Sequence, residues 1–174
     1  MRKVSGFTIV ELVVVIIILG ILAATALPRF IDVSDDAHVA AVEAVSGGLG
    51  SGATMWKAYY IANNKPSTAS IDGSGSLTYS ANGYPVGTSG TWSNDDCDDL
   101  FIGLLAQAPN VSGAGTTAAA AKGEVDDIYD WYVLSTSGDP TCQYYYAGRG
   151  ATATGYIVSY NTTTGAVTYS AGDS

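Results

Sequence analysis

The chain has 174 residues, two cysteines, one histidine and a formal net charge of −9. Once an apolar amino-terminal segment is set aside, that length leaves room for one soluble domain of ordinary size. The acidity argues against nucleic acid as a principal ligand, because phosphate binding relies on clustered Lys and Arg. Beyond Arg29 only Lys57, Lys65, Lys122 and Arg149 are basic, and they do not cluster.

The apolar segment comes first. Phe7 to Leu27 is a run of 21 residues with one ionisable group, Glu11. As a helix it would reach ~32 Å, enough for a bilayer core of about 30 Å. Arg2 and Lys3 precede it, which places the amino end in the cytoplasm. An ordinary signal peptide has its small-residue cleavage site after the apolar core and is discarded whole. Here the small residue, Gly6, comes before the run, so a cut after Gly6 would remove only the charged leader and leave the spanning helix on the mature chain. A carboxylate inside a span costs ~2.5–3.5 kcal/mol on insertion scales, so Glu11 is expected to have a partner. The ammonium that cleavage would create at Phe7, in the same or a neighbouring chain, is the best candidate. The plainer alternative is a signal anchor with a tolerated acid near its end.

Arg2-Lys3, then Gly6-Phe7-Thr8-Ile9-Val10-Glu11-Leu12, an apolar run containing Gly20, and Pro28 resemble the amino terminus of a type IV prepilin of the short-leader class. The resemblance implies that a membrane peptidase cuts after Gly6 and N-methylates Phe7, with Glu11 as the assembly glutamate. Pseudopilins of type II secretion and competence systems share the motif. It further implies storage of the helix in the inner membrane and then polymerisation into an extracellular filament whose core the helix forms. The matching segment around Gly20 and Pro28 is partly unwound in filaments of that family. Locally, Gly costs ~1 kcal/mol relative to Ala in a helix and Pro removes a backbone bond, so this stretch is predisposed to loosen. A proline kink with no further role is the alternative.

The 3.6 period continues past Pro28. Phe30, Val33, Ala37, Ala41, Val45, Leu49, Gly52, Trp56 and Tyr59 or Tyr60 fall on one face, and Asp32, Asp35, Asp36 and Glu43 mostly elsewhere. A kinked helix of about 55 residues, ~80 Å long, follows, of which roughly half should protrude from the domain. Gly47, Gly48, Gly50 and Gly52 are odd in a helix. Either another element approaches closely, or the helix breaks near Gly47 and restarts at Ser51.

After Asn63-Asn64-Lys65-Pro66 the composition shifts to loop and short strands as far as about Asn94, with a turn at Tyr84-Pro85-Val86-Gly87. Ser93-Asn94-Asp95-Asp96 supplies an N-cap for a helix from about Asp95 to Gln107. Gly113 to Lys122 reads as a loop. Strands are expected at Asp130–Thr136, Thr141–Ala147, Gly155–Tyr160 and Ala166–Ser170. The last two pair across Asn161–Gly165, and Tyr144, Tyr145, Tyr146, Tyr156 and Tyr160 suit a half-buried antiparallel sheet. The class is α+β, with the carboxyl half of the long helix against one face of the sheet. The expected divisions are a leader at 1–6, a spanning or filament-core helix half at 7–28, an amphipathic half at 29–64 and a head at 65–174.

Cys97 and Cys142 follow a membrane helix into an oxidising compartment, so a disulfide is the default. The acids Asp95, Asp96, Asp98 and Asp99, and Glu124, Asp126, Asp127 and Asp130, could ligate calcium. Their spacing does not match an EF-hand, and acids at a helix start are favoured by its dipole anyway. No metal or cofactor is expected. A catalytic function is not expected either, since His38 is the lone histidine and no phosphate loop or zinc motif occurs. Phe30-Ile31-Asp32 before Asp35-Asp36-Ala37, and Asp96-Cys97-Asp98-Asp99-Leu100 before Ala108-Pro109, narrow the resemblance to the mannose-sensitive haemagglutinin pilins. His38 departs from the arginine expected there. Type II major pseudopilins carry a carboxyl-terminal calcium loop, whereas Ser170 to Ser174 has one acid, which favours a pilin. The resemblance implies a filament of like subunits, a prepilin peptidase and methyltransferase, an assembly machinery, and a host or abiotic surface as partners. A secretion pseudopilin and a non-polymerising, membrane-anchored surface-binding domain are the competing readings.

Overall fold

The computed structural model of the chain describes residues 6–69, 76–89, 92–112, 130–136, 138–146 and 156–170, with residues 28, 30–35 and 112 described by backbone alone. Arg2, Lys3, the loop at Gly113–Lys122, and Glu124, Asp126 and Asp127 lie outside the described residues, as do the side chains of Pro28, Phe30, Asp32, Val33 and Asp35. The fold is α+β: a long apolar amino-terminal helix, a short second helix and a carboxyl-terminal sheet that is antiparallel but for one edge pair.

The first helix, α1, runs Ile9–Ala62 over 54 residues. It is continuous through Gly20, Pro28 and the glycine-rich stretch, so of the two readings of Gly47–Gly52 the unbroken helix is the one formed. By contacts the chain divides into Met1–His38 and Val39–Ser174. In the first unit the large apolar side chains from Ile9 to Leu27 are exposed, and Ile9–Leu27 is long and apolar enough to cross a membrane.

The second unit has its own core. From α1 it takes Val42, Leu49, Ala53 and Trp56, all buried, with Gly52 buried beside them and Val45 packed against the cluster. The expected face was therefore correct at Val45, Leu49, Gly52 and Trp56. It was wrong at Ala37 and Ala41, which are exposed, and Val42 and Ala53 take the inward positions. Of the tyrosine pair, Tyr60 is half-buried and Tyr59 exposed.

Two short strands, β1 (Thr68–Ala69) and β2 (Leu77–Thr78), pair antiparallel. The second helix, α2, is Asn94–Leu104, three residues shorter than expected at its carboxyl end. Ser93 caps it in a reciprocal box with Asp96. The main sheet has the order β3 (Val111–Ser112), β4 (Trp131–Ser135), β5 (Thr141–Tyr146), β6 (Ile157–Asn161) and β7 (Val167–Ser170). All its pairs are antiparallel except β3 with β4, the unforeseen strand. The register puts Val133 opposite Tyr144 and Tyr144 opposite Val158, and Cys142 opposite Tyr160. Strand side chains alternate between faces, so these residues share the inner face, and all are in the core. Phe101 of α2 packs there, 4.8 Å from the Tyr144 ring and 5.6 Å from Trp131. Tyr145 takes the opposite face and is partly buried there, whereas Tyr146 and Tyr156, also partly buried, pack against the core.

The carboxyl half of α1 lies against the end of α2 and reaches the sheet at β7. The Trp56 indole donates to the Gly103 carbonyl at 3.2 Å, and the Tyr169 hydroxyl to Glu43 at 2.8 Å. Gly52 makes this approach possible, because a Cβ there would overlap the backbone carbonyl of Leu104. A Cβ at Gly48 would meet only the flexible end of Leu105, and one at Gly47 would meet nothing. Gly52→Ala should therefore destabilise the head by about 1–3 kcal/mol through forced separation of the helices. Gly47→Ala should stabilise it by up to about 1 kcal/mol from helix propensity alone. Thermal unfolding of the two variants checks the opposite signs.

The buried tyrosines give the head an alkaline limit. Tyr144 and Tyr160 donate to the Cys97 and Pro85 carbonyls at 3.0 and 3.1 Å, and burial holds both hydroxyls well above their ordinary range. Burial, with a smaller contribution from Tyr59, pushes Tyr79 up to about 12. The unfolded chain releases these protons from about pH 10 upward, while the folded one retains them. Their contribution is thus complete below about pH 10 and is lost as pH rises toward and beyond 12. Far-ultraviolet circular dichroism and tyrosinate absorbance, followed from pH 7 to 12.5, should show the last rise in absorbance, that of the buried tyrosines, coincide with the loss of folded signal.

Candidate functional site

The amino-terminal junction is built by a helix start. Gly6, Phe7 and Thr8 precede the first helical turn, and the Phe7 side chain is 87% exposed. Thr8 is the residue immediately before α1 and Glu11 is the third residue inside it, the positions of a capping box. The Thr8 backbone N–H and hydroxyl donate to Glu11 Oε2 at 2.9 and 2.7 Å, and the Glu11 N–H donates to Thr8 Oγ1 at 3.3 Å. In this chain Phe7 has an amide rather than an ammonium, and among the described residues Glu11 bonds to Thr8. Sequence reasoning passed over Thr8, although the Thr-x-x-Glu spacing of a capping box is present at positions 8 to 11.

Farther along the span, the Thr25 hydroxyl donates to the Leu22 and Ile21 carbonyls at 3.0 and 3.3 Å, so this polar group is satisfied within its own helix. A Cβ at Gly20 would meet nothing within 4 Å, so no packing within the chain requires a glycine there.

In the head, Cys97 of α2 and Cys142 of β5 form a buried disulfide with their Cα atoms 5.6 Å apart. The neighbouring acids act as hydrogen-bond acceptors. Buried Asp96 accepts from the Ser89 N–H and hydroxyl and from the Ser93 N–H, and Asp99 accepts from the Thr88 hydroxyl. Among the described residues no three His, Cys, Asp or Glu side chains converge into a metal-sized group. A shallow groove of about 430 Å³ between Ile102 and Val111 is lined by apolar residues and Asn110, without a nucleophile or acid–base pair.

Among the described residues, the architecture is that of an α+β head carried on one apolar, membrane-length helix. The description "Prokaryotic N-terminal methylation motif" matches residues 1–27, the segment holding Gly6, Phe7 and Glu11. The chain is also similar to the type IV narrow pilus major component PilA5 of Thermus thermophilus, 47% identical over 49 residues. That match covers 28% of this chain and 42% of the relative, so less than half of the relative's length is spanned. Motif and similarity together support a type IV pilin. No solved structure matches the chain.

Proposed function

We propose that the chain is a structural, non-enzymatic subunit of a type IV pilus, polymerising through its amino-terminal helix into a surface filament. The observation that carries this reading is Glu11, a carboxylate in an otherwise apolar exposed span, one turn behind an accessible Gly6–Phe7 junction. In this reading residues 1–6 are a leader and Arg2 and Lys3 hold the precursor in the inner membrane with its amino end in the cytoplasm. A prepilin peptidase and methyltransferase cuts after Gly6 and methylates Phe7. Glu11 then attracts the Phe7 ammonium of a subunit already in the filament and sets axial register. The helix passes from lipid into an equally apolar filament core, so little hydrophobic free energy is lost. Gly20 and Pro28 supply the point where the helix loosens in the fibre, and residues 65–174 form its outer surface. The likeness to mannose-sensitive haemagglutinin pilins makes attachment to a host or abiotic surface the role of that outer face, with motility as a further use of the filament.

Intact-mass and amino-terminal spectrometry on filaments sheared from native cells tests the reading. A chain beginning at N-methylated Phe7 in the extracellular fraction is expected. A processed chain confined to the envelope would indicate a pseudopilin instead, and an uncut chain beginning at Met1 would overturn the prepilin assignment.

A further inference from the structure

Lys57, in the carboxyl half of α1, is held by aromatic rings rather than by an acid. Its ammonium lies 4.6 Å from the centroid of the Tyr84 ring and 5.9 Å from that of Tyr60. Among the described residues it forms no ion pair. Both rings are seated on glycines, since a Cβ at Gly83 would overlap Tyr60 and one at Gly165 would overlap Tyr84. A cation over a π face is attracted by the ring quadrupole, so the half-buried side chain is positioned while its charge stays uncompensated.

Strand register places this group at one end of the head. Tyr84 packs on Gly165, in the turn that follows Asn161, and Asn161 pairs with Thr141. The Thr162 N–H donates to the Pro140 carbonyl, which brings exposed Asp139 to the same end. The opposite end holds Asp130, beside the Trp131–Tyr146 pair, and Glu43, bonded to Tyr169 next to the Ile157–Ser170 pair. Both of these acids are exposed. Along α1, Glu43 and Lys57 are ~21 Å apart at ~1.5 Å per residue, too far to meet within one chain.

We propose that Lys57 is a contact group between copies of this chain, its ammonium pairing with Glu43 or Asp130 of the adjoining copy. The proposal rests on the filament reading above and adds a contact between heads that the apolar helix does not supply. Copies that each carry a net charge of −9 repel one another on approach. A cation set against an acid at the contact offsets that repulsion and fixes which surfaces meet. Loss of Arg2 and Lys3 with the leader would make the chain more acidic still. The placement of the two signs selects a second copy as the partner. A contact between unlike patches at opposite ends repeats from copy to copy, as a filament requires. Pairing of Lys57 with Asp139, at its own end, would instead close on itself as a dimer.

The test uses each variant of the full chain as the sole subunit and reads sheared filament relative to the processed membrane pool. Lys57→Arg keeps a cation that stacks on the rings and should stay within about twofold of the natural chain. Lys57→Met keeps the stem without the charge and should lose about threefold, the scale of a partly exposed pair. Lys57→Glu sets like charges against each other and should lose at least about tenfold. Adding Glu43→Lys or Asp130→Lys to Lys57→Glu should bring one of the two doubles back to within about threefold, because the pair re-forms with its signs exchanged. Natural yield from Lys57→Glu would overturn the proposal. If those filaments also lost binding to carboxylate-coated beads, the cation would serve an outside ligand. Restoration by neither double would overturn it too, and so would restoration by Asp139→Lys alone, the mark of a closed pair. The natural chain in the same assay separates the two levels. If it is not cut after Gly6 or forms no filament, the filament reading fails and the proposal with it. Normal filament from the natural chain beside an indifferent Lys57→Glu overturns the contact alone.

Discussion

Glu11→Val is expected to insert in the membrane and to be processed like the natural chain, yet to yield at least about a hundredfold less filament. The reason lies in what the substitution leaves behind rather than in what it removes. The valine itself suits the span, and it removes the insertion penalty of a carboxylate. In the proposed filament, however, it deprives the neighbouring Phe7 ammonium of its counter-charge in an apolar core. Breaking a buried pair on one side costs about 3–5 kcal/mol, more than two decades in an equilibrium constant. Glu11→Gln should fall between, since its single amide oxygen can still accept one bond from the ammonium, without the charge that strengthens it. The check is quantitative immunoblotting of sheared filaments against the processed membrane pool. Normal filament from Glu11→Val would remove the register argument. A loss of the membrane pool itself would show that Glu11 acts on insertion or stability.

Most of the architecture was legible in the sequence because it rests on short-range patterns. The tyrosine-bearing runs at Thr141–Tyr146 and Ile157–Asn161 suit a half-buried sheet, and their inner positions, Cys142, Tyr144, Val158 and Tyr160, are those buried. Ser93 and Asp96 marked the start of α2 to within a residue. What escaped depends on tertiary partners. The burial stripe of α1 was misplaced at Ala37 and Ala41 because alanine carries little periodic signal. Whether Ala41 or Val42 turns inward depends on what packs against the helix. The strand Val111–Ser112 is two residues long and pairs parallel with Trp131–Tyr132, a non-local partner that no local pattern announces. Gly52 was suspected of a close approach, but its partner, the Leu104 carbonyl, could be named only from the fold. Thr8 was overlooked for the opposite reason. The lone acid at Glu11 dominated the reading, so the local capping signature beside it was passed over.

The disulfide carries the second large effect. Cys97 sits in the first turns of α2 and Cys142 in β5, and the Tyr144 hydroxyl donates to the Cys97 carbonyl beside the bridge, so helix and sheet are joined there twice. The bond closes a loop across 45 positions, which on the chain-entropy model contributes about 4 kcal/mol by restricting the unfolded chain. Domains of this size have total stabilities of about 5–15 kcal/mol, so the bridge is a large share of the whole. The double substitution Cys97→Ala with Cys142→Ala is therefore expected to lower the melting temperature of the head by about 15 °C. It should also remove most of the difference between oxidised and reduced samples. Because both sulfurs are buried, the oxidised head should resist mild reductant while folded and lose the bond only as it opens. Calorimetry of the natural chain with and without reductant, beside the double variant, checks this. A melting temperature within about 3 °C in all three would mean that packing of Phe101, Trp131 and Tyr144 holds α2 on the sheet without help from the covalent link. A variant that never folds would place the bridge above the entropic estimate and make its formation a condition for a stable head before any subunit could enter a filament.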